Sequence, residues 1–364
     1  MRYAWRAALL AAVGATAMAL AASVPVAAAQ PPPTAAPSSV PASEELRRIR
    51  DEDQADRKQD FARLGKAELE AITARDRKRL ARVRDLLMAD RVVTSEDLDH
   101  AALVFQHGET PDDTLVAHEL ALAALLTATK RSASSLPAVS GDRFLVRIGR
   151  PQRFGAQALP KPGPDGQLLY GVDEAGELAV TDALRADLFM APLAVSKREG
   201  PMGVMKVVDT LVARLKERHD PAWLASHRDR PAAKRLEQYA DRLASGDGDS
   251  LGARGEVLKL YRADDLKTPE DYRNAARVLL ATAERQPGDA RARQLLLAHE
   301  MAMVAALRGD AAARTLVAST WDAFLVRVGR PQRYGTISGG PVEATVSPAV
   351  RRIFGVPPRP AAAD

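Results

Sequence analysis

Six polar side chains in the first half of this chain are of types that do chemistry: Arg57, His100, His107, His118, Asp142 and Arg143. His100 and His107 stand two helical turns apart, so a helix would place them on one face. With Asp142 orienting it, His107 is suited to act as a base, and the planar forks of Arg57 and Arg143 suit a carboxylate or phosphate. The catalytic candidates are therefore His107, Asp142 and Arg143, and the ligand-binding candidates are Arg57, Gln106, Gln152 and Gln157. A metal site would need His100, His107 and His118 to converge, with Asp142 as a fourth ligand. No H-E-x-x-H spacing supports it, so neither a metal nor a cofactor is expected. The structural alternative is an internal network in which Asp53 or Asp142 pairs with Arg57 or Arg143 and stitches the N-terminal helix to the rest.

The elements that must carry these residues come from a word written twice. FLVRIGRPQRFG (144–155) returns as FLVRVGRPQRYG (324–335), which points to a duplication. Helix starts recur too. Thr94-Ser-Glu-Asp and Thr268-Pro-Glu-Asp each put a hydroxyl cap before two acids, and Thr110-Pro-Asp-Asp caps the helix carrying AHELALAAL. AHEMAMVAAL is its later partner, so His118 and His299 read as hydrogen-bonded core histidines. Gly149 and Gly329 follow the repeated word as left-handed helix stops, with Pro151 and Pro331 forbidding continuation. Gln152 and Arg153 then read mainly as parts of a helix stop, with the aromatic docked and the glutamine satisfying stray backbone groups.

The expected fold is all-α: two tandem helical units of the α-hairpin or solenoid kind. Unit 1 spans 43–195, a helical connector 196–250, and a degenerate unit 2 spans 251–364. Unit 1 holds a second helix at 66–89 and carries an insertion, GQLLYGVDEAGELAV, read as a β-hairpin near 167–180 across an Asp-Glu-Ala-Gly turn. The first helix begins at Ser43, read as its N-cap, and its charged run 44–63 reads as a solvated face rather than a partner-binding helix.

At EDQADR (52–57), AALVFQHG (101–108), DRFL (142–145) and GRPQRFGAQ (149–157) the chain resembles an uncharacterised bacterial helical domain family with the motif set DQxxR…QH…DR…GxPQxYGTQ. Asp53, Gln54, Arg57, Gln106, His107, Asp142, Arg143, Gln152, Phe154, Gly155 and Gln157 match that set. Ala156 departs from it, where the family has Thr. The resemblance implies a helical domain and no particular activity. The later unit loses the polar words: Leu280-Ala281 stand for Gln106-His107, Ala323 for Arg143 and Ile337 for Gln157. A working site is therefore expected in unit 1.

Residues 1–29 read as an export signal, with Arg2 and Arg6 before an apolar run and Ala27-Ala28-Ala29 at the cut. A Pro/Ala/Ser tether follows at 30–42. The expected location is periplasmic or secreted, with no stable membrane insertion once the signal is removed. The chain has no cysteine, so packing must supply its stability. Its 52 Lys and Arg are interleaved with 47 Asp and Glu, and aromatics make up only 4%, which argues against nucleic-acid binding. Three functions fit. The first is an exported binding or scaffold module of the cell envelope, with a polar pocket in unit 1 for a protein or an anionic small molecule. The second is a hydrolase or transferase on an anionic envelope substrate using His107, Asp142 and Arg143, and the third a purely structural bundle.

Overall fold

A computed structural model describes residues 42–357 apart from 62, 130–132, 158–159, 163–167, 171, 175, 247 and 344. The export signal and nearly all of the tether lie outside the described residues. The fold is all-α. The first helices are α1 (Ala42–Arg57), α2 (Lys66–Met88), α3 (Ser95–Gln106), α4 (Pro111–Thr127) and α5 (Leu136–Arg147). Short α6 (Asp182–Asp187) and α7 (Leu193–Glu199) precede α8 (Val208–Arg218), α9 (Pro221–Arg228), α10 (Pro231–Ala244) and α11 (Ser250–Arg262). The last group is α12 (Pro269–Thr282), α13 (Gly288–Leu307), α14 (Ala313–Arg327) and α15 (Pro348–Ile353). None of the described helices is long and apolar enough to cross a membrane.

Local chemistry sets the boundaries. Thr94, Thr110 and Thr268 each accept from the amide three residues on, and the acid there returns a bond to the cap backbone. At the other ends Gly149 and Gly329 take φ of +74° and +75°, the left-handed turn that stops a helix. Ser43 is not a cap. It lies inside α1, which ends at Arg57, and its hydroxyl donates to Asp97.

α4 and α13 are apolar nearly all round, and such helices must sit in the middle of a fold. They do: Leu115, Leu120 and Leu122 of α4 and Leu297, Met301 and Val304 of α13 are all sealed in one core. α3 and α5 flank α4, while α12 and α14 flank α13.

The insertion differs from expectation. Pro160–Pro162 and Leu168–Tyr170 pair antiparallel, but among the described residues no strand pairing spans 173–176. Residues Gly176–Leu178 form a single 3-10 turn instead. Leu178 and Val180 are both buried, so the run after the turn packs into the core, and it does so from a 3-10 turn rather than a strand. Gln152 takes the Asp173 amide on its carbonyl at 2.8 Å, which pins the segment to the GRPQRFG loop.

Head-to-tail solenoid stacking is also not what joins the two segments. Arg153, in the first GRPQR loop, places Nε and Nη2 on the Glu300 carboxylate of α13 at 2.7 and 2.8 Å. Arg333, in the second loop, does the same to Glu119 of α4, both bonds 2.8 Å. Each loop thus reaches into the other segment's central helix, the exchange that marks an isologous contact. Between these pairs, His118 and His299 meet Nε2 to Nε2 at 3.1 Å, and Trp321 stacks on His299 and packs tilted against His118.

Candidate functional site

Asp142 was expected beside His107, and it is not there. It projects from α5 beneath the following loop and is 1% exposed. Its oxygens accept the amides of Arg153 (2.6 Å), Phe154 (3.0 and 3.1 Å) and Ala156 (2.9 Å). Burial pushes its pKa up to about 6, while the backbone amides pull the other way and keep it an anion at neutral pH. Asp322 repeats this cradle with the amides of Arg333, Tyr334 and Thr336. There the Thr336 hydroxyl adds a further donor at 2.8 Å. Ala156 is the site where that donor is missing. Asp142 is therefore the anchor of the loop and has no free oxygen lone pair directed at a substrate.

Gln152 and Gln157 complete the same loop. Gln152 donates to the Gln157 carbonyl (3.2 Å) and accepts its amide (2.7 Å), and Gln332 does the same for Ile337. Gln157 also donates to the Val139 carbonyl and accepts from Arg143 Nε at 2.7 Å. Arg143 Nη1 ends on the Gln106 carbonyl at 2.6 Å, so this guanidinium laces α5 to the end of α3. Burial, aided by the charges of Arg147 and Arg57, lowers its pKa to about 10, which leaves it charged at neutral pH. The Gln106 side chain is buried, and its Oε1 meets no donor among the described residues.

His107 caps the end of α3 and finds a different acid. Its Nδ1 lies 2.8 Å from Asp53 Oδ2 on α1, where Gln54 also donates at 2.9 Å. Arg57 bridges Asp53 (3.3 Å) and Asp76 of α2 (2.8 Å). Burial lowers the His107 pKa and the Asp53 bond partly restores it, so the ring is neutral at pH 7 with Nδ1–H donated to Asp53. Its Nε2 makes no hydrogen bond among the described residues, and the side chain is 21% exposed.

The three histidines named for a metal do not converge. His100 bonds Arg50 at 2.9 Å, His107 bonds Asp53, and His118 bonds the Pro137 carbonyl and His299. No group of three metal-binding side chains occurs among the described residues. The reason is geometric: α4 turns His118 toward α13, away from the face of α3 that carries the other two.

The expected Asp53–Arg57 pair forms, but sequence reasoning missed the wider acid–arginine lattice around it. Glu45, Asp53 and Asp56 of α1 are buried, so the charged run is an interface with α2 rather than a solvated face. Asp56 binds Arg75 and Arg79, Asp76 binds Arg57 and Arg79, and Glu45 takes two bonds from Arg82. The signal was present as Asp53, Asp56 and Arg57 on one turn facing Arg75, Asp76 and Arg79 on another. Glu119 and Glu300, beside the histidines in both AHE words, also went unremarked.

The chain matches no protein-family model, no curated protein and no solved structure.

Proposed function

We propose that this chain is an exported, non-catalytic binding module of the cell envelope, built from two copies of one helical unit. The motif residues of the resembled family serve here as frame: Asp142, Gln152 and Gln157 hold the loop, while Arg57 and Arg143 lace helices together. What supports this most is the burial of Asp142, because an enzyme using His107 with Asp142 needs that carboxylate free beside the ring. The equivalent cradles of Asp142 and Asp322 support the duplication, since superposed units would be expected to share them. The test has two parts. Mature protein purified from the periplasm is assayed on carboxylic and phosphoric ester substrates, and native mass spectrometry looks for a bound small molecule. A retained ligand with no turnover supports the reading; hydrolysis that vanishes in His107→Ala overturns it.

A second reading has one specific observation in its favour. Asp53 orients a neutral His107 whose Nε2 is left unbonded, with Arg57 and Arg143 close enough to act on the ring's charge. That is the arrangement of a base with its orienting carboxylate beside an anion-holding pair. In this reading Asp53 takes the orienting role expected of Asp142, and Asp53→Asn lowers kcat, though less steeply than His107→Ala.

A further inference from the structure

A cavity of about 550 Å3 opens well away from the polar cluster, between the C-terminal ends of α4 and α13 and against α6 and α8. That volume is in the range of small-molecule sites, about 300–1,000 Å3. Its apolar wall includes Leu125, Leu188, Phe189, Val212, Leu215 and Leu307. Lys216, Arg308 and Arg314 also line it, against the single carboxylate of Asp187. Asp187 is already engaged by the Tyr272 hydroxyl at 2.8 Å and Arg214 Nε at 3.1 Å. Arg314 gives Nη2 to the Leu126 carbonyl.

Arg308 lies over the Trp223 and Tyr272 rings, 5.9 and 5.7 Å from their centroids, yet is short of acceptors. It is 4% exposed, and only Nη2 is used, on the carbonyls of Arg218 and Lys267. Nε and Nη1 are buried without a hydrogen-bond partner. A buried cation with idle donors is costly unless something brings acceptors to it. Phe189, whose φ of +57° is the left-handed stop of α6 with the Phe189 amide donating to the Ala186 carbonyl and the Met190 amide to that of Arg185, lines the same cavity. Apolar walls call for a hydrocarbon, and idle guanidinium donors among surplus cations call for an anionic head.

We propose that this cavity binds a single-chain anionic amphiphile, with the acyl chain against Leu125, Val212 and Leu215 and its carboxylate or phosphate held by Arg308 and Lys216. The proposal rests on the binding-module reading and specifies its ligand. Calorimetric titration of the full mature protein with palmitate, lysophosphatidylglycerol and hexadecanol, each kept below micelle formation, tests it. At least one anion saturates a single site, and hexadecanol binds about tenfold or more weakly for want of a head that Arg308 can hold. Palmitate alone identifies a free fatty acid as the source; the lysolipid alone identifies a phospholipid. Val212→Trp fills the cavity and abolishes binding. Arg308→Gln weakens it about tenfold; because Arg308 also braces two carbonyls, the solvent-exposed Lys216→Glu is the parallel variant, expected to weaken binding about fivefold. Failure of both anions to saturate, equal affinity for hexadecanol, or an unchanged affinity in Lys216→Glu overturns the proposal. Any of these leaves the binding-module reading standing unless His107-dependent turnover is also found.

Discussion

Truncating Glu119 to alanine removes the acceptor of both Nε and Nη2 of Arg333. The two side chains are 3% and 4% exposed, so the guanidinium is left in the core rather than returned to water. Burial opposes the charge of Arg333 and Glu119 outweighs it; once Glu119 is lost that support goes, and the arginine stays charged because a guanidinium is intrinsically so strong a base. Breaking a buried pair from one side costs about 3–5 kcal/mol, most of it the uncompensated ion. Glu300→Ala should cost a similar amount, because Arg153 meets Glu300 through the same two nitrogens at 2.7 and 2.8 Å. Deleting both charges, as Glu119→Leu with Arg333→Met, should recover most of the loss, since the desolvation penalty leaves with the ions. Urea unfolding of wild type, Glu119→Leu, Arg333→Met and the double, with Glu119→Ala and Glu300→Ala measured alongside, followed by far-UV circular dichroism and tryptophan fluorescence, closes the cycle. A loss under about 1 kcal/mol for Glu119→Ala, or a double variant as unstable as the sum of the singles, would refute the lock. Unequal costs at Glu119 and Glu300 would instead count against equivalent halves.

Three further outcomes are expected. His118 has its pKa lowered to about 4 by burial, so in the folded state it resists the proton that the unfolded chain accepts near 6.5. Its contribution is fully present above pH 6.5 and is lost as pH falls toward 4, amounting to about 3 kcal/mol. Thermal melts should fall across that window, and His118→Gln should flatten the slope; an unchanged slope refutes the assignment. Ala156→Thr should stabilise the protein by about 1 kcal/mol by giving Asp142 the hydroxyl that Thr336 gives Asp322, read as a shift in urea midpoint. A destabilised variant would mean that the two loops do not share a shape. Gly149→Ala meets no atom within 4 Å and should lose only the left-handed glycine preference, about 1 kcal/mol, whereas Gly155→Ala also drives its Cβ to 2.5 Å from Val172 and should lose clearly more. Equal midpoints for the two variants would contradict the close packing at Gly155.

What could be read from residue order was what short-range geometry controls. A Thr followed three residues later by Asp closes a capping box wherever it stands, which is why the starts of α3, α4 and α12 were legible. The all-round apolar character of α4 and α13 likewise marked the core. Asp142 was harder. Its retention as Asp322, while Arg143 became Ala323, was the one sign that it belonged to the loop frame rather than to a site. That sign outweighs proximity to a histidine motif, because a backbone cradle needs a carboxylate in both copies and a site needs it in one.

Residue order alone settled the helical class, the threonine caps and the glycine stops, because each depends on neighbours within a few residues. Tertiary structure decided the long-range pairings of charge. His107 could have taken Asp53 or Asp142, and the contact between α1 and α3 chose Asp53. Arg153 and Arg333 found glutamates 147 and 214 residues away. Ion pairs between distant helices have no sequence period, so only the packing of α4 against α13 determined which acid Arg153 and Arg333 could reach.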